Sequence, residues 1–298
     1  MKTRVKWLAA AGIAVIIAGT AASVMDYRKV ISAMSTDPMH PLAGNDDFRA
    51  FRQAYSSTVQ TSGSPEIRLD LSGTQAQAGI EIMSGKPGIL EVTVVVGEDQ
   101  PTPDSRFSME TSKNNSPVFR ASGGKNPFQL KILIPEGVSS LTVEAQRALL
   151  TLRDDFSGSL SVDIREGKAE IAYMTGKAQV FLGTGNIQLD AFSLTGGSFL
   201  KTNCGNIDFT GSLGGGGEIR FTAALGNIRV HLPASQKVDL RLSGIVFDNA
   251  FSGTEQGAAA KDFTYKGGLP LDQSGKPPEA QLAVNCVYGR ITVAKTEP

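Results

Sequence analysis

Histidine and cysteine are scarce in this chain, which carries two of each in 298 residues. His40 and His231 share no metal-ligand spacing with each other or with either cysteine, so the sequence holds no zinc motif. A serine nucleophile needs a histidine base, and no Gly-x-Ser-x-Gly elbow lies near His231. Residues 214–217 are an unbroken glycine run rather than a phosphate-binding pattern. The sequence therefore predicts no catalytic residue, no cofactor and no metal.

Net charge is also lacking, and aromatic residues are few. The 29 basic and 29 acidic residues cancel, and aromatic residues make up 7% of the chain. A chain without net charge has no overall field that attracts nucleic acid or anionic lipid. The 33 glycines against 14 prolines favour many short strands with sharp turns. We predict an all-β fold with no nucleic-acid partner.

An internal repeat is the strongest pattern that the sequence does contain. Gly-Asn-Ile occurs at residues 185–187, 205–207 and 226–228, at spacings of 20 and 21 residues. Apolar or small residues alternate with polar ones around each glycine, which is the side-chain period of a β-strand. The predicted inward set is Ala178, Val180, Leu182, Ile187, Leu189, Ser198, Leu200, Thr202, Ile207, Phe209, Ile219, Phe221, Ala223, Ile228 and Val230. Because no repeat can bury this face alone, the C-terminal half is predicted to be a β-solenoid, a β-helix-like stack of rungs.

The predicted rungs cover about 158–247 and 281–295. Apolar residues precede Gly167 at the repeat offsets, which adds a rung before the first Gly-Asn-Ile. At the other end, a strand around Gly289 rejoins the stack. Residues of about 249–280 form an insertion, which is either a binding surface, as loops that leave a repeat stack often are, or a disordered excursion.

The N-terminus contains an uncharged run of 19 residues, 7–25, preceded by Lys2, Arg4 and Lys6. Nineteen helical residues span about 28 Å, close to the hydrocarbon thickness of a bilayer. The positive flank keeps the N-terminus in the cytoplasm. We predict a cytoplasmic tip and a transmembrane helix or signal anchor in residues 1–29, so that the chain is a single-pass protein of the bacterial cell membrane. A cleaved signal peptide is the alternative.

The remainder is predicted to form a stalk, 30–64, and an extracytoplasmic all-β domain, 65–298. The stalk is polar and contains prolines, and one helical turn is predicted where Phe48, Phe51 and Tyr55 share a face. From residue 65 onward, alternating apolar runs separated by turn residues predict antiparallel or mixed β-strands before the rungs begin.

Cys204 and Cys286 fall one and three residues before a repeat glycine, so the alternation predicts that both point into the core. An exported chain permits a disulfide. The rungs that begin at Gly226 and Gly244 come between them in sequence, however, and two rung spacings of about 4.8 Å exceed the Cα separation that a bridge tolerates. Buried free thiols are favoured, and a bridge is the alternative if the insertion returns the last strand beside an earlier rung.

The repeat asparagines Asn186, Asn206 and Asn227 occupy one position in successive rungs. Amide side chains stacked at the strand spacing form hydrogen-bonded ladders, so we assign them a structural role rather than a sugar or metal site.

Carboxylates on an outward face would be needed for polysaccharide chemistry on a β-helical scaffold. The repeat carboxylates are Asp163, Asp190, Asp208 and Glu218, and their offsets from the glycines place no two of them in one column. Asp208 shares its column with Arg229, which predicts a surface ion pair worth at most about 1 kcal/mol.

Several of these features together resemble the bacterial putative adhesin family, a domain of unknown function. They are the junction at Ile134-Pro135, the glycine-punctuated rungs, Leu232-Pro233 after the last Gly-Asn-Ile, and the late Gly-Arg-Ile at residues 289–291. The resemblance covers about 67–295 and is most specific over 167–247. It implies an extracytoplasmic β-solenoid-like domain on a membrane anchor, with no catalytic residues to carry over.

The sequence thus predicts a non-enzymatic, membrane-anchored protein of the cell envelope that works in adhesion, binding or scaffolding. Its expected partners are the membrane, through the N-terminal helix, and an unknown envelope protein or glycan. A polysaccharide lyase or hydrolase on a β-helical scaffold and a self-assembling structural β-helix are the alternatives.

Overall fold

The computed structural model describes residues 51–61, 63, 65–97, 101–112, 116–236, 238–249, 263–268 and 280–296. All the elements assigned within these ranges are β-strands, which confirms the predicted all-β class. The helix predicted in residues 1–29 lies outside the described residues. Inside them, we find no helix with the length and apolar character needed to cross a membrane.

The described strands are numbered in chain order. They are β1 (Phe51–Gln60), β2 (Glu66–Gly73), β3 (Gln77–Ser84), β4 (Ile89–Gly97), β5 (Arg106–Thr111), β6 (Pro117–Ser122), β7 (Phe128–Ile134), β8 (Ser140–Leu152), β9 (Phe156–Leu194), β10 (Phe199–Cys204), β11 (Ile207–Leu213), β12 (Glu218–Leu225), β13 (Ile228–Pro233), β14 (Val238–Asn249), β15 (Phe263–Gly268) and β16 (Ala280–Thr296).

Most of these strands pair in parallel with strands above and below them. We call each turn of the chain in this stack a level, and each level contributes one strand segment to each of two rows, in which neighbouring segments are hydrogen-bonded. The first row runs β6, β2, β8, β9, β10, β12, β16, β14. The second row runs β7, β3, β8, β9, β11, β13, β16, β14. Long strands enter both rows because they bend at a corner between their two halves. The strand β9 supplies two successive levels, since Gly185 lies against Gly167 within it.

The repeat sets the register of these levels. Ile187, Ile207, Ile228 and Ile291 are successive partners in the second row, and all four are completely buried. The other predicted inward residues are also buried, which confirms the in and out assignment. The polar members of the set are satisfied, because Thr202 Oγ1 donates to the Gly185 carbonyl oxygen at 3.0 Å and Ser198 Oγ donates to that of Thr195 at 2.6 Å. Neighbouring levels therefore share one continuous core.

Glycine stands at the corners because no side chain fits there. Gly205 has a φ of 147°, a region that residues with a Cβ rarely adopt. An ideal Cβ built on Gly205 would lie 1.9 Å from the carbonyl oxygen of Gly185 on the level before. Gly226 repeats this arrangement on Gly205, also at 1.9 Å. The glycines thus let backbone lie directly on backbone from level to level.

Parallel stacking begins earlier than the sequence predicted. The strands between residues 65 and 150 are mixed, as predicted, but β2, β3, β6, β7 and β8 join the same two rows of parallel levels. The expectation that the levels start near residue 158 is therefore wrong. The early corners do not carry Gly-Asn-Ile, and β6 and β7 lie outside β2 and β3 although they follow them in sequence, so no fixed period marks them.

Antiparallel strands flank the parallel levels. At one end β5 pairs with β6, β4 with β7, and β1 with β4. Residues 51–60 of the predicted stalk are therefore a sheet strand, and the helical turn expected at Phe51 and Tyr55 is wrong. At the other end β15, which lies within the predicted insertion of 249–280, pairs antiparallel with β14. Residues 250–262 and 269–279 of that insertion lie outside the described residues.

The final levels do not follow chain order. β16 pairs with β12 and β13 on one side and with β14 on the other. Consistent with this, a Cβ built on Gly289 would lie 1.6 Å from the carbonyl oxygen of Gly226, so the Gly289 level rests directly on the Gly226 level. The sequence had placed the level of Gly244 between them, and this order is wrong. The last strand inserts into the stack instead of ending it.

The loop before β5 is tied to the corner between β6 and β7 by Asp104. Its Oδ1 accepts hydrogen bonds from the backbone N–H groups of Asn126, at 3.1 Å, and Lys125, at 2.9 Å. These two bonds hold the pKa of the Asp104 carboxyl below its usual value.

Candidate functional site: a corner groove

The predicted asparagine ladder is present, and its side-chain oxygens accept hydrogen bonds from backbone N–H groups. Asn186 Oδ1 accepts the backbone N–H of Asn206 at 2.8 Å, and Asn206 Oδ1 accepts that of Asn227 at 2.8 Å. Asn227 Oδ1 continues the ladder by accepting the backbone N–H of Arg290 at 3.0 Å. Because each side-chain oxygen joins two levels, the ladder is part of the scaffold.

An open groove of about 790 Å³ follows the corner beside the first row. It crosses the levels of β2, β8, β9 and β10, so its length is about four strand spacings, roughly 19 Å. We call it the corner groove. Its lining residues are Ser72, Glu144, Ala145, Gln146, Asp163, Arg165, Glu166, Phe181, Gly183, Thr184, Asn203 and Cys204.

The groove lies beside outward positions near the corners, where one side chain is missing. Gly183 has no side chain to project, and a Cβ there would lie 2.5 Å from the carbonyl oxygen of Arg165 on the adjacent level. Phe181, two residues earlier, contributes a half-buried aromatic ring to the lining. Lys201 Nζ lies 5.4 Å from the centre of this ring, within the range of a cation–π contact. The tight backbone contact at Gly183 thus leaves space beside an aromatic ring.

Charged groups of both signs line the groove. Glu144 and Asp163 are register partners on adjacent levels. Arg68 Nη2 lies 2.9 Å from Glu144 Oε2, and Arg147 Nε lies 4.0 Å from Glu166 Oε2. These pairs are exposed, so each contributes at most about 1 kcal/mol to stability. The groove therefore offers hydrogen-bond acceptors and donors beside one aromatic ring, which suits a polar ligand with some apolar surface.

The two cysteines have different environments, and one prediction about them is wrong. Both thiols are free, and Cys286 is fully buried, where burial raises its pKa to about 11. Cys204 does not point into the core but lines the groove. The chain turns at the corner, so the residue directly before each corner glycine faces outward, as Thr184 and Leu225 also do in part. The last inward residue before the corner lies three positions before the glycine, as Thr202 does.

The carboxylates considered in the sequence predict one ion pair correctly but miss the neighbouring carboxylates of the groove. Asp208 pairs with Arg229 at 3.2 Å, as predicted, and Glu218 pairs with Arg220 at 2.5 Å. The sequence did not reveal the neighbouring carboxylates Glu144 and Asp163. The two residues are 19 positions apart, which is about one repeat period. This spacing would have predicted their contact if the repeat had been recognised in β8. His231 is half-buried in the second row beside Thr210, and His40 lies outside the described residues.

The fold and groove define an all-β protein with parallel stacked levels and a polar, partly aromatic surface groove. No protein-family model and no curated protein matches the chain. The structure is similar to a putative adhesin from Bacteroides fragilis, with 13% identity, 82% of this chain and 97% of that chain covered, and a TM-score of 0.47. It is also similar to a putative cell adhesion protein from Clostridium sporogenes, with 12% identity, 83% and 100% coverage, and a TM-score of 0.38. A putative adhesin from Parabacteroides distasonis has 12% identity, 83% and 97% coverage, and a TM-score of 0.35. These descriptions agree with the family that the sequence resembles.

Proposed function

We propose that the protein is a non-enzymatic adhesin of the bacterial cell envelope that binds a glycan or an envelope protein along the corner groove. In this proposal the chain winds through the stacked levels as a β-solenoid. The apolar run of 7–25 anchors the protein in the membrane, with the β-domain on the extracytoplasmic side. The support for a binding role is the groove itself, which Arg165, Asp163 and Asn203 line together with the ring of Phe181. Saccharides and extended peptides both present polar groups and apolar patches at short spacing, which this arrangement matches.

The binding proposal is tested by retention of the purified full chain on immobilised envelope glycan and on immobilised envelope protein. We expect retention on one of the two, and loss of most of it in the variants Arg165→Ala and Phe181→Ala. Arg229→Ala is the matched control, because this exposed arginine lies in the second row and pairs with Asp208. Equal retention of the wild type and both groove variants would contradict the proposal.

The anchor proposal needs a separate measurement. The mass of the mature protein isolated from cells shows whether residues 1–29 remain, and protease treatment of intact spheroplasts shows on which side the β-domain lies. We expect the full mass and degradation from outside. A shortened mass would indicate a cleaved signal instead.

One observation favours a second candidate, a glycan-cleaving enzyme. Glu144 and Asp163 stand side by side on adjacent levels, and a pair of carboxylates is what most glycosidases use. Glu144 is engaged by Arg68, however, and the groove is open to solvent, which favours binding over catalysis. Release of reducing ends from envelope glycan by the wild type, and its loss in Asp163→Asn, would establish the enzyme and overturn the adhesin proposal.

A further inference from the structure

A pair of exposed aromatic rings lies away from the corner groove. The rings of Tyr173 and Phe192 stack with centroids 5.6 Å apart and an interplanar angle of 25°. They belong to the two successive levels of β9, and their exposed fractions are 52% and 59%. We call this pair the aromatic platform. Because the two rings stack on each other, each covers one face of its partner, and the outer faces and edges of the pair form an exposed apolar surface with a fixed orientation.

The backbone at the platform is strained. Tyr173 has a φ of 52°, and among the described residues it is the one that is not glycine yet has a positive φ. This conformation is unfavourable for a residue with a bulky side chain. It breaks the alternation, so that Met174 turns into the core with an exposed fraction of 0% while the Tyr173 ring turns outward. Glycine would produce the same bend without strain, so the bend by itself does not explain a tyrosine here.

Polar residues accompany the two rings. Asp190 lies two residues before Phe192 on the same side of β9. Thr210 on the next level is the register partner of Asp190. The hydroxyl of Ser212 donates to the backbone carbonyl of Phe192 and so fixes the second ring's backbone. The two segments that carry the rings, residues 170–176 and 187–196, contain no lysine or arginine, and Arg153 on the adjacent level is paired with Glu81, so the rings lie in no cluster of basic groups of the kind that binds an anionic membrane.

From this combination we propose that the aromatic platform binds a pyranose ring of a glycan. The apolar face of the sugar packs against the exposed side of the stacked pair, and the carboxylate of Asp190 and the hydroxyl groups of Tyr173 and Thr210 are the hydrogen-bonding groups at its edge. The site is separate from the corner groove, which Phe181 lines in the first row, whereas the platform lies near the C-terminal ends of the two second-row segments of β9. The proposal goes beyond the adhesin assignment, because it names the ligand class and a second site.

The test uses the full chain on an array of immobilised cello-, chito-, manno- and galacto-oligosaccharides, followed by titration calorimetry with the oligosaccharide that retains it best. We expect retention on at least one of these probes. Tyr173→Ala and Phe192→Ala should each weaken binding about tenfold or more, as loss of one stacking ring does at other aromatic platforms. The matched control is Tyr288→Ala, because Tyr288 has the same exposed fraction of 52% and lies on another strand.

Tyr173→Gly separates binding from folding. It removes the ring and relieves the positive φ, so binding should fall about tenfold while the melting temperature stays equal or rises. Absence of retention on every probe, or unchanged binding by both alanine variants, would overturn the platform. If Phe181→Ala abolishes retention while the platform variants bind normally, the platform proposal fails and the corner groove stands.

Discussion

Adding one methyl group at a corner should destabilise the whole stack. In Gly205→Ala the new Cβ would lie 1.9 Å from the carbonyl oxygen and 2.5 Å from the carbonyl carbon of Gly185. Both atoms belong to backbone, which cannot rotate away as a side chain can. The variant must therefore either separate two levels of the core or move a corner.

The expected loss has two parts. Placing alanine at a φ of 147° costs about 1–2 kcal/mol, the usual penalty for a Cβ in left-handed backbone. Forcing extra volume between packed levels costs about 1–3 kcal/mol more. We expect Gly205→Ala to lower the free energy of unfolding by about 2–5 kcal/mol.

Gly137→Ala is the matched control, because Gly137 also has a positive φ, of 81°, but no heavy atom lies within 4 Å of its ideal Cβ. It should lose only the first part, about 1–2 kcal/mol. Urea unfolding of the full-length variants, followed by far-ultraviolet circular dichroism, measures both losses. If the two variants lose equal stability, the close stacking of corner on corner is not what requires glycine, and the reasoning is refuted.

Three further predictions concern the core, the thiols and an exposed carboxylate. Leu200→Asp places an unpaired charge at a fully buried position and should cost more than about 4 kcal/mol, whereas Gln188→Lys on the exposed side should be nearly neutral in the same urea assay; a stably folded Leu200→Asp chain would contradict the inward assignment. Maleimide should label Cys204 of the native chain at neutral pH and Cys286 only after unfolding, because Cys286 is buried and its pKa is raised to about 11; equal labelling rates would be the opposite result. The lowered pKa of Asp104 adds stability above its unfolded value of 3.8, and this is lost as the pH falls through the folded pKa, so urea titrations should show a steeper loss below about pH 4 in the wild type than in Asp104→Asn.

The repeat region could be predicted well because one signal determined several features together. The spacing between the glycines gave the level period, and the alternation around them assigned Leu200 and Ile207 to the core. The asparagine ladder followed from the same period. Near a corner the simple alternation failed, since Cys204 precedes a bend rather than a straight strand and faces outward.

The candidate sites were much less visible. Glu144 and Asp163 become neighbours only because β8 stacks on β9, and β8 carries none of the Gly-Asn-Ile tripeptides. Tyr173 and Phe192 are ordinary aromatic residues in the sequence, and their pairing depends on the bend between the two levels of β9. Neither pair has a motif of its own.

The sequence by itself determined the local features: the period of two along each strand, the glycine corners and the apolar face that neighbours must cover. These depend on steric limits and side-chain burial within a few residues. Only the tertiary structure decided which levels lie together, including the insertion of β16 between β13 and β14 and the placement of β6 and β7 beyond β2 and β3. Strand neighbours are chosen by packing and hydrogen bonding between segments far apart in the chain, and many strands here present the same alternating face, so the pattern alone does not distinguish one partner from another.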